Sequence, residues 1–240
     1  MKGVSPRQPS NPHNGRRHYP GVTGFPVFAL IVLVLSVWAP VRALMGGPEA
    51  TAPFAFSVSP VAAAGVPYTW RPGCPVGPSQ LRLLHLSYWG FDGKPHRGRM
   101  IVNGLVAGDV VKVFRALYDA RFPIWEMVPQ DAYNGNDDRA AAADDTSGFN
   151  CRHAVTSGPP QWSVHAYGEA IDVNDVQNPY VFGRDIIPPA GAAYLDRGDV
   201  RPGMAVPSSE LVRAFASVHW YWGGRWTAAP DYQHFSLTGG

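Results

Sequence analysis

Residues 163–172 read SVHAYGEAID, a run of the form S-x-H-x-x-G-x-A-x-D. A second run, DYQHF at 231–235, lies close to the C-terminus. Between them they supply two imidazoles, two carboxylates and a glycine at which the chain can turn. A catalytic zinc site takes three protein ligands drawn from His and Asp or Glu, and keeps one open position. His165 and Asp172 are a first pair of such ligands. His234 is the natural third, because it follows a Pro230-Asp231 turn and leads into apolar Phe235. Residues 170–174 alternate in the manner of a strand, with Ile171 and Val173 toward a core and Ala170 and Asp172 on the opposite face.

Hydrolysis at such a metal also needs a carboxylate base near the attacking water. Asp231 stands three residues before His234. In a straight strand these two side chains would point to opposite faces, so the assignment requires a bend at Tyr232-Gln233. Arg152 ends a polar stretch and suits an oxyanion or a substrate carboxylate; an ion pair with Asp144 or Asp145 is the plainer alternative. Ser163 suits a hydrogen bond to a ligand or to substrate. Trp220, Trp222 and Trp226 are candidates for a cleft wall, with Trp222 the favoured substrate contact; large aromatics are as often core. A serine hydrolase is disfavoured, since there is no G-x-S-x-G elbow and Ser163 lies only two residues from His165. Phosphate-binding and dinucleotide fingerprints are also missing from the sequence.

The rest of the chain sets the context. Residues 1–20 carry Lys2, Arg7, Arg16 and Arg17 without an acid, residues 25–38 are uncharged and almost wholly apolar, and Val41-Arg42-Ala43 has small outer residues. That order is expected of a secretory signal, or of an N-terminal membrane anchor if it is retained, over residues 1–43. The apolar run is short against the roughly 20 residues of a membrane span. Residues 44–67, rich in Ala, Pro and Gly, read as a linker, and 68–240 as the folded domain. Five of the 20 basic side chains lie in residues 1–43, which leaves 15 basic against 18 acidic in the remainder. That balance does not favour nucleic acid as a partner. In an exported chain the distant Cys74 and Cys151 read as one disulfide before two free thiols. Such a bridge would be worth about 4 kcal/mol and would pin the backbone beside Arg152.

Within the domain, apolar spacing predicts a helix over 103–121, a short strand over 124–128, a long polar loop over 134–147, and a second helix capped by Ser208 or Ser209. Short strands and helices in mixed order point to an α+β fold.

At these residues the chain resembles the zinc D-alanyl-D-alanine carboxypeptidase and L-alanyl-D-glutamate peptidase family, the cell-wall peptidases related to VanX and VanY. The two runs above carry the resemblance most specifically. GCPV at 73–76, GFDG at 90–93, FPI at 122–124 and TSGFNCR at 146–152 support it. The resemblance implies a small antiparallel sheet with flanking helices, of the type also seen in Hedgehog domains, with zinc in an open cleft. It implies zinc on His165, Asp172 and His234, Asp231 as base and Arg152 as electrostatic stabiliser. The substrates it implies are peptidoglycan stem peptides, cut by a chain acting as a monomer. A non-catalytic, zinc-containing cell-wall binding module of the same fold is the alternative. Two departures stand out: the carboxypeptidase branch commonly has Glu where this chain has Asp231, and relatives often carry Glu at the position of Ser236.

Overall fold

The structure, a computed structural model, describes residues 52–155 and 158–239. The expected export segment, residues 1–43, lies outside them. Strands β1 (Phe56–Pro60), β2 (Leu81–Trp89) and β3 (Pro95–Asn103) form an antiparallel sheet in that order. Alternation along β2 and β3 decides which face each side chain takes. Leu84, Leu86, Met100 and Val102 enter the main core, whereas Leu81 and Ile101 enter a smaller one with Val61, Val66, Val76, Phe149 and Cys151.

Helix α1 (Ala107–Asp119) lies over the main core face and buries Val110, Val113, Phe114 and Leu117, the stripe read from the sequence. Helix α3 (Glu210–Ala216) begins at Ser209, whose hydroxyl accepts the Val212 N–H, the expected N-cap arrangement. A second sheet, ordered β4-β8-β7, combines β4 (Ala170–Asp172), β8 (His234–Ser236) and β7 (Tyr221–Trp222), while β5 (Tyr180–Phe182) and β6 (Asp185–Ile187) form a short hairpin. Its Ile171 and Phe235 close the same core, with Phe235 stacked on Phe215 at 4.1 Å between ring centres. The fold is thus α+β, built from small antiparallel sheets and helices. Among the described residues no helix is long and apolar enough to cross a membrane.

Three expectations need correction. Part of the stretch read as linker is folded: residues 56–60 are β1, paired to β2 from Phe56↔Leu86 to Pro60↔Arg82, and Val61 and Val66 are buried. Its Ala- and Pro-rich composition hides a strand that gains its ladder from the edge of β2. The polar loop over 134–147 contains helix α2 (Asp137–Ala142), whose N-cap Asn136 accepts the Arg139 N–H at 2.9 Å. Conversely, 124–128 is not a strand. Side chains take two of its backbone donors, Asn174 Oδ1 from Trp125 and Asp145 Oδ1 from Val128, both at 3.0 Å, so its backbone pairing is reduced to single bonds such as that of the Ile124 N–H to the Trp89 carbonyl.

The disulfide is present, joining Cys74 to Cys151 across 77 residues. It ties the segment after β1 to the chain just before Arg152.

Asp145 is fully buried, and its second carboxylate oxygen has no partner. Burial pushes its pKa up to about 8, although the Val128 and Thr146 N–H groups pull it down. The folded chain therefore holds a proton that the unfolded chain releases near pH 4. Between about pH 4 and 8 this group makes stability fall as pH rises. Asp145→Asn should gain stability relative to the parent as pH rises from 5 to 8, read from urea midpoints of the two proteins. An equal difference at both pH values would show that Asp145 is ionised throughout.

Candidate active site

The pairing of β4 with β8 places Asp172 directly opposite His234, with Ile171 opposite Phe235. The apolar pair points into the core, and the polar pair to the other face. On the far side of β4, Ser147 exchanges both backbone hydrogen bonds with Asp172, at 3.0 and 3.1 Å. The β4 chain is therefore held by backbone on both sides, at Asp172 by Ser147 and at Val173 by the Gln233 carbonyl.

His165 sits in a 3-10 turn, Val164–Tyr167. Ser163 caps that turn by accepting the His165 N–H at 3.3 Å, so the described role of Ser163 is to shape the turn, although it also lines the cleft. Gly168 ends the turn at φ +68°, and a Cβ there would lie 2.6 Å from the Asn103 backbone nitrogen. No other residue fits this turn without moving β3. His165 Nδ1 donates to the Gly148 carbonyl at 2.7 Å. That bond fixes the tautomer and turns the Nε2 lone pair toward Asp172 and His234.

Three ligand atoms converge. His165 Nε2 lies 3.1 Å from Asp172 Oδ2 and 3.2 Å from His234 Nδ1, and His234 Nδ1 lies 3.0 Å from Asp172 Oδ1. Tetrahedral bonds of 2.0–2.1 Å to zinc set ligand atoms about 3.3 Å apart, so the spacing fits such an ion. The three residues are buried and could hold a metal. Burial alone would raise the Asp172 pKa, but the two imidazoles outweigh it and hold the carboxyl well below its usual range. Burial likewise opposes charge on His165, and Asp172 overrides it to raise the imidazole pKa.

The bend demanded by Asp231 exists. Residues 232–233 leave the strand path, and the His234 N–H reaches back to the Asp231 carbonyl at 3.4 Å. Both side chains line one cleft of about 460 Å³. Burial and the negative Asp172 push the Asp231 pKa up to about 7, against His234 and Arg152. A base near neutrality is suited to taking and returning a proton at physiological pH. Gly223 makes the bend possible, since a Cβ there would lie 2.8 Å from the Asp231 carbonyl oxygen and 3.2 Å from His234 Cβ.

Arg152 also lines the cleft. Its ion pair is with Asp137 at 2.8 Å, in α2, and not with Asp144 or Asp145. Burial disfavours its charge, yet Asp137, Asp172 and Asp231 hold its pKa above the ordinary arginine value. Trp222 is not in the cleft lining. It is a core residue, and its Nε1 donates to the Tyr232 carbonyl at 2.9 Å, because a buried indole needs an acceptor. Trp226 takes the wall position instead, 5.4 Å from the His234 ring. Ser236 is fully buried in β8, where its hydroxyl accepts the Gly239 N–H. Sequence reasoning missed Asp137, Glu169 and Asp175 as cleft residues. Nothing in their spacing marks them, because tertiary packing alone brings them together.

Residues 157–237 match the model of a family described as D-alanyl-D-alanine carboxypeptidase. The match supports the zinc-peptidase family. It contains all three ligand candidates and Asp231, and it begins after Arg152. No curated protein and no solved structure matches the chain.

Two outcomes follow from this geometry. His234→Ala should cost most of the bound zinc, read by elemental analysis after dialysis against micromolar metal. Gly223→Ala should displace both Asp231 and His234, and a shift of about 1 Å at a reacting group costs on the order of 100-fold in turnover. Unchanged turnover and zinc content in that variant would mean that the bend tolerates a side chain.

Proposed function

We propose that this protein is an exported zinc metallopeptidase that hydrolyses peptidoglycan stem peptides. The reading rests on one observation above all. A three-residue ligand set, a buried carboxylate and a guanidinium share one cleft, in a chain whose residues 157–237 match a peptidase family. A disulfide fits an oxidising compartment.

A zinc ion on His165, Asp172 and His234 would supply Lewis acidity toward a carbonyl oxygen and a more acidic water. Asp231 takes the proton of the attacking water and returns it to the leaving amine. Arg152, oriented by Asp137, faces the negative charge that develops on the carbonyl oxygen. Gly148 keeps His165 in the tautomer that leaves Nε2 free. Asp231 is one methylene shorter than the Glu common in the carboxypeptidase branch, and the bend beside Gly223 draws its backbone toward His234.

The test is digestion of purified muropeptides by the zinc-loaded chain, followed by mass spectrometry. Loss of a terminal D-Ala identifies a carboxypeptidase, and cleavage after L-Ala an endopeptidase. Asp231→Ala should lose about 10²–10⁴-fold in kcat while keeping one zinc per chain. Arg152→Ala should lose about 10²–10³-fold. A zinc-loaded protein that binds muropeptides and yields no product would sink the enzyme reading in favour of a binding module.

A further inference from the structure

Gln130 opens the 3-10 turn Gln130–Tyr133 and is only 3% exposed. It stands behind the cleft lining, and the chemistry above makes no use of it. Its amide is nonetheless fully engaged. Nε2 donates to Asp137 Oδ1 and to Ser147 Oγ, each at 3.1 Å, and Oε1 accepts from Asn150 Nδ2. An ionised carboxylate can only accept, so Asp137 fixes which end of the amide carries the hydrogens.

The three partners belong to different parts of the site. Asp137 Oδ2 holds Arg152 Nη2 at 2.8 Å. Ser147 exchanges backbone hydrogen bonds with Asp172, and the Asn150 N–H donates to the His165 carbonyl at 3.2 Å. One buried amide thus joins the counter-ion of Arg152 to the two segments that brace Asp172 and His165.

What Arg152 offers the cleft depends on that link. Its Nη2 is committed to Asp137, its Nη1 donates to the His153 carbonyl at 3.3 Å, and its Nε–H is buried without a partner. A long side chain keeps such a free donor in one direction only when its planar head is anchored elsewhere. The anchor, Asp137, is itself 33% exposed, on the first turn of the short helix α2. Without Gln130 its carboxylate could turn toward solvent and take the guanidinium with it.

We propose that Gln130 is a positioning residue for Arg152. It holds the Asp137 carboxylate, and through it the guanidinium, in register with the strand and the turn that carry the candidate metal ligands. The inference rests on the peptidase reading of the cleft, and it adds to that machinery a residue outside both the cleft and the matched segment 157–237.

The test compares the zinc-loaded full chain with Gln130→Met and Gln130→Glu, each alone and in an Arg152→Ala background. Gln130→Met keeps the length of the side chain and removes its three hydrogen bonds. Gln130→Glu keeps the acceptor for Asn150 and sets a second carboxylate against Asp137. Position is read from exchange with water of the Arg152 Nε–H resonance, identified by its loss in Arg152→Ala. Activity is read as kcat and KM on muropeptides. Each single variant should keep its zinc, exchange the Nε–H about tenfold faster or more, and lower kcat about tenfold with KM changed less than about threefold. With Arg152 already replaced, the same substitutions should change kcat by less than about twofold, because effects that pass through one residue do not add. An equal loss of kcat in both backgrounds marks a merely structural role and overturns the proposal. Unchanged exchange in a folded, zinc-loaded variant overturns it too, as does loss of the zinc. Should circular dichroism show Gln130→Met unfolded, Gln130→Glu carries the same comparison. A parent chain that holds zinc and cuts no muropeptide sinks the peptidase reading alone, and the exchange rates then decide whether Gln130 positions Arg152.

Discussion

The antiparallel pairing of β4 with β8 is the constraint on which the cleft depends. Three residue pairs, Ala170↔Ser236, Ile171↔Phe235 and Asp172↔His234, fix both the core and the ligand set. A slip of one residue would turn Ile171 and Phe235 toward the cleft and carry Asp172 and His234 into apolar packing. Burying a side chain such as Phe235 is worth roughly 1.5–3 kcal/mol, so the apolar half of the ladder stabilises the register that the polar half needs. Ser147 holds β4 from its other edge, and Phe149, two residues on, donates its N–H to the Ile101 carbonyl of β3 at 2.8 Å. The two sheets are thereby joined through the segment that leads to Arg152.

Electrostatics explains why so polar a face can be buried. A buried carboxylate is tolerated only when it is paired or neutralised. Asp172 is paired by two imidazoles, and Asp137 by Arg152. Asp145 and Asp175 take the other course: burial raises both pKa values, and for Asp175 the neighbouring Asp172, Asp145, Asp144 and Asp137 add to it. The same few ångströms thus hold carboxyls of opposite tendency, set apart by whether a cation faces them. The centre of the cleft is ordered for a positive ion.

Much of the site was legible in the sequence because it lies in two short runs with chemically fixed requirements. His165, Asp172, Asp231 and His234 converge as their spacing suggested, and the bend at 232–233 is the one that Asp231 demanded. The amphipathic stripe of α1 and the Ser209 cap were equally local signals. The misses are of another kind. Asn136 at an N-cap followed by two aspartates is a helix start, but its polar composition resembled a loop. Strand β1 depends on the edge of β2 for its pairing, which no local pattern reveals. Residues 124–128 have strand-like composition, yet Asn174 and Asp145 claim their donors from 49 and 17 residues away. Trp222 and Trp226 are indistinguishable in the sequence; Trp222 is the buried one because it pairs with Phe235 across β7 and β8 and packs in the core, where its indole finds the Tyr232 carbonyl. Asp137 as the partner of Arg152 is likewise a consequence of tertiary packing.

The covalent link between Cys74 and Cys151 fastens the two sides of the cleft unequally. Arg152 follows the bridged Cys151, and it is also held by its own N–H to the Asn150 carbonyl, by the Ser163 N–H to its carbonyl and by the Asp137 ion pair. The candidate metal ligands lie on other segments, tied by the β4–β8 ladder and the Val164–Tyr167 turn. Reduction of the bridge would therefore slacken the Arg152 side and leave the ligand set in place.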